Sequence, residues 1–363
     1  MKRARSVHPL PGEAERRARL LGLIDAFGGR RVLVVGDVIA DEFIYGQIAR
    51  VSREAPVLIL RYDSTEVVPG GAGNAANNVA ALGGRARLVG LLGGDESGRR
   101  FAASLHRGVE RSGLVRLPGY RTPTKTRILA GGIHSAKQQI VRIDREAPAR
   151  QGKDVIAVLA ARALEAAGEA DALLVSDYGY GVVSPALVAR LADRVRQRGR
   201  RRRIPILVDS RYDLLRYRRL TACTPNESET EQMLGVKIND NVRMLERAGR
   251  AILGRTRMDA VVVTRGSRGM ALFEPDQPTV HIPIYGSDEI ADVTGAGDTV
   301  IATMTLALAA GASFYEAARL ANYAGGLVVM KRGTATVSAG ELRQAVEADH
   351  PAPAEPWGQE GPE

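Results

Sequence analysis

The sequence predicts an α/β fold, with a mostly parallel sheet covered by helices on both faces and a small β-sheet lid projecting from it. Three observations carry that expectation. Short aliphatic runs alternate with helix-periodic stretches through most of the 363 residues. Two segments, 43–68 and 124–143, break the alternation with strand patterns that have no helix between them. Glycine-rich junctions also fall where strands or loops turn into helices. The composition agrees, at 45% hydrophobic, 25% charged and only 4% aromatic, which describes a globular chain with an aliphatic core.

The central strands are expected at 31–35, 87–92, 172–176, 204–209, 222–225 and 260–264. They read as near-continuous apolar runs, the pattern of strands buried on both faces. Helices are expected at 74–82, 97–112, 153–167, 185–195 and 244–253, with another beginning near Val300. In such sheets ligands bind beyond the carboxyl ends of the strands. The lid strands are expected at 43–47, 57–61, 125–129 and 139–143, with Gly131-Gly132 as a turn, and they read as an antiparallel sheet. One face of a lid covers the site and the other must itself be covered, which predicts a homodimer through the lid. Residues 1–14 and 348–363 read as mobile tails, the second with Pro351, Pro353, Pro356 and Pro362, and they leave 15–347 as the folded unit.

Several function classes drop out on composition. A single cysteine, Cys223, excludes an internal disulfide and a multi-thiolate metal site, and fits a reducing compartment. The five histidines are scattered without ligand spacing. No apolar run approaches the ~20 residues of a membrane span, and the basic start lacks an apolar stretch behind it. The expected location is therefore cytoplasmic. A formal charge of +10 calls for an anionic partner. Much of the excess lies in the run 194–203, RVRQRGRRRR, at the end of a helical pattern. Without interleaved aromatics it reads as a solvated helix end that complements the helix dipole, so no nucleic-acid partner is expected.

The most informative stretch is Asp292-Val293-Thr294-Gly295-Ala296-Gly297-Asp298-Thr299, which runs into an apolar helix. A helix start presents unpaired N–H groups and attracts phosphate. A carboxylate in that turn would repel the phosphate unless it served to take a proton from an attacking hydroxyl. The same residues would also make a capped tight turn. A second glycine-rich segment, Pro69-Gly70-Gly71-Ala72-Gly73-Asn74, opens the helix at 74–82. Glycine lets backbone approach a ligand and Asn can bond sugar hydroxyls, although taken alone the segment reads better as a capped helix start. Asp37 and Asp41 follow the first strand, where acids can hold polyol hydroxyls or simply make a turn. In Thr224-Pro225-Asn226-Glu227-Ser228-Glu229, Asn226 and Glu229 share one helix face. They can orient water around magnesium, form a capping box, or both. Gly93 to Arg100 has P-loop glycine spacing, but Arg99-Arg100 stands in place of Lys-Ser/Thr, so it is not a P-loop. No dinucleotide fingerprint follows the first strand.

Together, in this order, these segments resemble the ribokinase-like (phosphofructokinase B) sugar kinases over about residues 30–345. The resemblance implies a three-layer α/β/α fold with a β lid, ATP as donor, Mg²⁺ as helper and room for a monovalent cation. It implies Asp298 as the base and the amides of Gly295, Ala296 and Gly297 as an anion hole. Asp37, Gly70, Gly71 and Asn74 would hold the sugar. Asn226 and Glu229 would lie near metal and phosphates, with Glu229 reaching the metal through water. Thr264 and Gly266 would line the nucleotide, with Asn322 near the adenine. Within the family the lid looks most like that of the heptose-7-phosphate kinases, which act on the anomeric hydroxyl of D-glycero-β-D-manno-heptose 7-phosphate on the way to ADP-heptose.

The cations Arg50, Arg53, Lys125, Arg127 and Arg142 suit a substrate that already carries phosphate, and the substrate calls rest on Lys125, Arg127 and Arg142. The sequence departs from that subfamily at Arg53, at Tyr180 and at Ser210-Arg211, where Pro, Lys and Pro-Lys are usual. No His-x-Gly-His nucleotidyltransferase signature appears, so the chain is expected to make the bisphosphate and leave later steps to others. Another sugar, sugar phosphate or nucleoside is the alternative acceptor. A non-catalytic sugar-phosphate-binding regulator is the alternative of a different class.

Overall fold

Strand periodicity sorts the central aliphatic residues between two cores. Val32 and Val34 pack on one side of the sheet, and Leu33 and Val35 pack on the other. The same split runs through Leu174 against Leu173 and Val175, and through Val262 against Val261 and Val263. Both faces need a helical layer, and both have one. The computed structural model describes residues 12–131, 137–147, 151–198, 203–286, 292–331 and 333–349.

The chain begins with α1 (Glu13–Asp25), β1 (Arg31–Gly36), β2 (Val38–Val51), β3 (Leu58–Gly71) and α2 (Ala72–Ala81). It continues through β4 (Arg85–Gly93), α3 (Glu96–Ser104), β5 (Val109–Glu110), β6 (Leu114–Leu117), β7 (Thr124–Gly131) and β8 (Gln138–Arg145). Next come α4 (Lys153–Ala167), β9 (Ala172–Asp177), α5 (Pro185–Arg198), β10 (Ile206–Ser210), β11 (Ala222–Cys223) and α6 (Glu227–Leu234). It closes with α7 (Val242–Thr256), β12 (Ala260–Thr264), β13 (Met270–Phe273), β14 (Val280–Ile282), α8 (Ala296–Ala310), α9 (Phe314–Val329) and α10 (Ala339–Ala348).

The large sheet has the order β14-β13-β12-β11-β10-β9-β1-β4-β5, with β6 also paired to β4. It is parallel from β12 to β5, and β13 and β14 are antiparallel at one edge. Helices α1, α2, α8, α9 and α10 supply one core, and α4, α5 and α7 supply the other. Chain order reverses at β1, which has β4 on one side and β9 on the other. This is the switch point where such sheets open a crevice. No helix among the described residues is long and apolar enough to cross a membrane.

The second sheet, in order β3-β2-β7-β8, is the lid. Its expected antiparallel arrangement holds for two of its pairs but not for the middle one, where β2 and β7 run parallel. The reason is the crossover between them: β4, α3, β5 and β6 intervene, and such a connection returns the chain in the same direction. The helix expected at 97–112 stops at Ser104. Leu105 turns extended, and the His106 amide donates to Asn77 Oδ1 at 2.9 Å, which releases 109–110 to pair with β4. The strand expected at 222–225 shortens to two residues because Pro225 has no N–H to donate.

α1 takes up residues 13–14 of the expected N-terminal tail, and α10 reaches 348. Asp349, also expected in a tail, is tied to Arg319 and Tyr323; residues 1–11 and 350–363, residue 132 of the lid turn and residues 199–202 of the arginine run lie outside the described residues. The rest of that run fits a helix end. Arg196 donates to the Arg219 carbonyl at 2.5 Å, and Arg203 pairs with Asp259 at 2.7 Å.

Phe101 is fully buried, and its ring fills the space where a side chain at Gly73 would stand, only 2.5 Å from an added Cβ. That contact seats the first turn of α2 against α3. Phe101→Ala should cost about 3–5 kcal/mol of stability, read from urea melts. A loss below ~1 kcal/mol would show that the junction relaxes freely.

Candidate active site

The start of α8 is built by one glycine. Gly295 sits at φ +80° as N-cap, and an added Cβ would lie 2.5 Å from Asn74 Nδ2. Only glycine accepts both the left-handed backbone and that approach. Asp292 ties the loop down, accepting the Thr294 N–H at 2.9 Å and the Gly333 N–H at 3.1 Å. Gly295, Ala296 and Gly297 therefore line the cleft at a helix N-terminus, and the Ala296 amide also leans on the Val293 carbonyl at 3.3 Å. Backbone donors and helix dipole together favour an anion here.

Asp298 lies within that first turn and is 3% exposed. Asn74 Nδ2 donates to its Oδ2 at 2.9 Å, and the Tyr178 hydroxyl donates to Oδ1 at 3.2 Å. The orientation of Asn74 is set from behind, since Asn78 Nδ2 donates to Asn74 Oδ1 at 3.0 Å and leaves Asn74 Nδ2 to face the carboxylate. Burial pushes the Asp298 carboxyl up to about 7 against these two donors, with Asp41 pushing the same way and Lys125 opposing. A carboxylate of that proton affinity, half ionised near neutrality, suits a general base.

The lid contributes the opposite wall. Asp41 on β2 lines the cleft, accepts from Arg127 at 2.6 Å in a buried ion pair, and accepts from the Thr334 hydroxyl at 3.2 Å. Lys125 is its register partner on β7. Burial lowers the Lys125 pKa, Asp41 resists that, and Arg211, Arg142 and Arg127 reinforce it. Arg142 faces the cleft and pairs with Asp144 through two nitrogens. Gly71 also lines the cleft at φ +55°. Arg50 and Arg53, in the distal part of the lid hairpin, are not among the cleft-lining residues.

Three of the expected sugar residues stand elsewhere, among them Asn74, which is buried with its amide spent on Asp298 and Asn78 and is not a cleft-lining residue. The carboxylate of Asp37 is turned away from the cleft and accepts the backbone amides of Tyr178 at 2.8 Å, Tyr180 at 3.2 Å and Val182 at 3.3 Å. Burial raises it to about 6 against these bonds. Its work is to hold the loop after β9, and the acid that reaches the cleft is Asp41. Gly70 packs under the Asp41 carboxylate, where a side chain would clash. Tyr180, where lysine was the expected residue type, is likewise not a cleft-lining residue, whereas Arg211 is.

The far end of the cleft, about 440 Å³ in all, mixes acids with an apolar slot. Asn226 and Glu229 form a reciprocal capping box on α6, Asn226 Oδ1 accepting the Glu229 amide at 2.8 Å and Glu229 accepting the Asn226 amide at 3.0 Å. Burial raises Glu229, while the Asn226 backbone amide and Arg211 oppose it; burial and then Glu229 itself hold Asp209 well above its usual range. The Thr224 hydroxyl, 4% exposed and lining the cleft, has no hydrogen-bond partner. No group of three potential metal ligands occurs among the described residues. The oxygens of Asp209 and Glu229, whose raised proton affinity a nearby cation would relieve, suit a hydrated hard cation touched by few protein atoms. Thr264, Gly266, Met270 and Ile284 line the slot. Asn322 lines it too, but its amide donates to the Pro283 carbonyl at 2.7 Å, so it also pins the adjoining loop.

Sequence reasoning did not assign roles to Tyr178, Asp209, Arg211 or Thr224. Tyr178 and Asp209 stand at the carboxyl ends of β9 and β10, so the rule that drew attention to Asp37 would have found them.

Comparison with known proteins follows the same lines. Residues 30–339 match the family described as pfkB family carbohydrate kinase. The Bifunctional protein HldE of Geobacter metallireducens is 42% identical over 312 residues, covering 85% of this chain and 61% of that protein. The protein of the same name from Caulobacter vibrioides is 43% identical over 321 residues, covering 87% and 63%. The chain therefore spans about three-fifths of the length of these relatives. Among solved structures, Arabidopsis thaliana ribokinase complexed with ribose and ATP superposes with a TM-score of 0.67 at 21% identity, covering 89% of this chain and 100% of that one. Escherichia coli phosphofructokinase-2 in complex with substrates and products gives 0.70 at 20% identity, covering 88% and 98%. At that identity the likeness is one of fold.

The buried carboxyl has a thermodynamic signature. The unfolded Asp298 ionises near its ordinary 3.8, whereas the folded one keeps its proton to about 7. Stability therefore falls as pH rises between those values and is flat in this term above them. Asp298→Asn should melt higher than the wild type at pH 8, with the gap closing towards pH 4. A gap independent of pH would contradict the raised value.

Proposed function

The chain belongs to the pfkB family of carbohydrate kinases, and from that premise we propose that it phosphorylates the anomeric hydroxyl of a heptose 7-phosphate, D-glycero-β-D-manno-heptose 7-phosphate, with ATP as donor. The observation that carries the reading is the pairing, in one turn of α8, of a phosphate-attracting helix start with the buried carboxylate of Asp298. The kinase unit is taken as running from α1 through α10, residues 13–348, working in the cytoplasm.

The sugar hydroxyl gives its proton to Asp298 as its oxygen attacks the γ-phosphorus in line. The new O–P bond forms as the bond to the β-phosphate oxygen breaks, and ADP leaves with that electron pair. The Gly295–Gly297 turn stabilises charge on the transferring group. Asp41 holds the sugar, and Lys125, Arg142 and Arg211 face its existing phosphate. The nucleotide occupies the slot lined by Thr264, Gly266 and Asn322. Glu229 and Asp209 would stand nearest a magnesium ion, which would neutralise phosphate charge when bound, and a monovalent cation is included in the reading. Support for a phosphorylated acceptor comes from the cations brought together on the lid side and from the HldE relatives.

The lid also supports a homodimer. Tyr62 on β3, Val51 on β2, and Val141 and Ile143 on β8 are large apolar residues left exposed on it. A second copy covering them would remove an aggregation-prone surface. Ile143→Asp should shift sedimentation from dimer to monomer, and a wild-type protein that sediments as a monomer would end this part of the proposal.

Two measurements test the chemistry. Asp298→Asn should lower kcat at least ~10²-fold while ATP still binds, and near-normal turnover would remove Asp298 as base. An ATP-consumption screen over free sugars and sugar 7-, 6- and 5-phosphates should favour a 7-phosphate. Preference for an unphosphorylated acceptor would defeat the assignment of the lid cations.

A further inference from the structure

We propose that Tyr178 is a positioning residue for the reaction, its phenol hydroxyl orienting the Asp298 carboxylate and setting the pH at which that carboxylate works. The inference rests on the reading of Asp298 as base. Asn74 and Tyr178 each bind one oxygen of the carboxylate, at 2.9 Å and 3.2 Å. Each oxygen keeps a further acceptor site, so the pair fixes the plane of the group without blocking its approach to a hydroxyl.

Tyr178 is itself held on two sides. Its amide donates to Asp37 at 2.8 Å, within the set of three amides that Asp37 gathers. Its ring lies beneath the Lys125 ammonium, 4.8 Å from the centroid. Asp37 therefore acts at a distance: it shapes the loop, the loop places Tyr178, and Tyr178 places the carboxylate. The phenol also remains a donor, because burial, followed by the charges of Asp298, Asp209 and Asp41, raises its pKa well above the usual value.

The ionisable groups facing Asp298 from the surrounding elements are Asp41 on β2, Lys125 on β7 and Asp209 on β10, besides Tyr178 itself. Asn74 on α2 is neutral. All of these remain in a Tyr178→Phe variant, so a shift there reports the lost hydroxyl. A donor to the ionised form lowers a carboxyl pKa, and its removal raises it.

The test is the pH profile of kcat/KM for the acceptor at saturating ATP. In Tyr178→Phe the acid limb should move up by about 0.5–1 pH unit. Tyr178→3-fluorotyrosine keeps the shape and strengthens the donor, so its limb should move down. A limb that stays in place in both variants, whatever happens to the plateau, would overturn the proposal and leave Tyr178 as packing. An Asp298→Asn enzyme that keeps turnover would instead bring down the base assignment itself, so the two failures are distinguishable.

Discussion

A carboxylate withdrawn from water costs several kcal/mol unless its neighbours compensate, and the neighbours of Asp298 compensate only in part. Two neutral donors and the distant Lys125 ammonium oppose burial and the charge of Asp41, and the balance leaves the group near neutrality in proton affinity. Full compensation by an adjacent arginine would have produced a stable anion with no appetite for a proton. No compensation would have left a neutral acid. The intermediate result depends on the positions of Asn74, Tyr178 and Asp41, and these come from three separate parts of the chain.

The fold converges those parts because the lid grows out of the site. β2 starts one residue beyond β1, and Asp41 lies in its first turns of pleat, so the sheet that covers the cleft is continuous with the strand at the switch point. The parallel pairing of β2 with β7 sets Asp41 opposite Lys125 and Phe43 opposite Arg127. The antiparallel pairing of β7 with β8 then sets Arg127 opposite Arg142. A one-residue slip in either register would turn these side chains to the other face of the sheet. Lid registry is thus part of the site's electrostatics as well as its shape.

Much of this was legible from sequence because burial on two faces and glycine at a helix start leave strong local marks. The strands at 31–35, 172–176 and 260–264, the helix at 153–167 and the octet at 292–299 all carry such marks. The parallel centre of the lid carries none, since pairing direction follows from a crossover tens of residues long. The choice between Asp37 and Asp41 was equally hidden. Both acids follow one strand, and only the arrival of the 178–182 amides, about 140 residues later, shows that Asp37 is already occupied. Tyr178 was overlooked for a related reason: a tyrosine in a glycine-rich turn looks like loop chemistry until its hydroxyl is seen against Asp298.

The net charge of +10 now has a local interpretation that composition could not supply. The cleft is not uniformly basic. Lys125 and Arg142 stand on the lid and Asp209 and Glu229 line the other end, with Arg211 acting on groups of both sets. A site that had only to attract anions would omit those two acids, because they repel phosphate. Their retention makes sense if the anion entering that end arrives with its own cation, whereas the anion entering under the lid arrives bare and is met by nitrogen donors. On the proposed reading, the polarity of the cleft would separate two phosphate-bearing molecules by how each is charge-compensated, with Asp298 where the two halves meet.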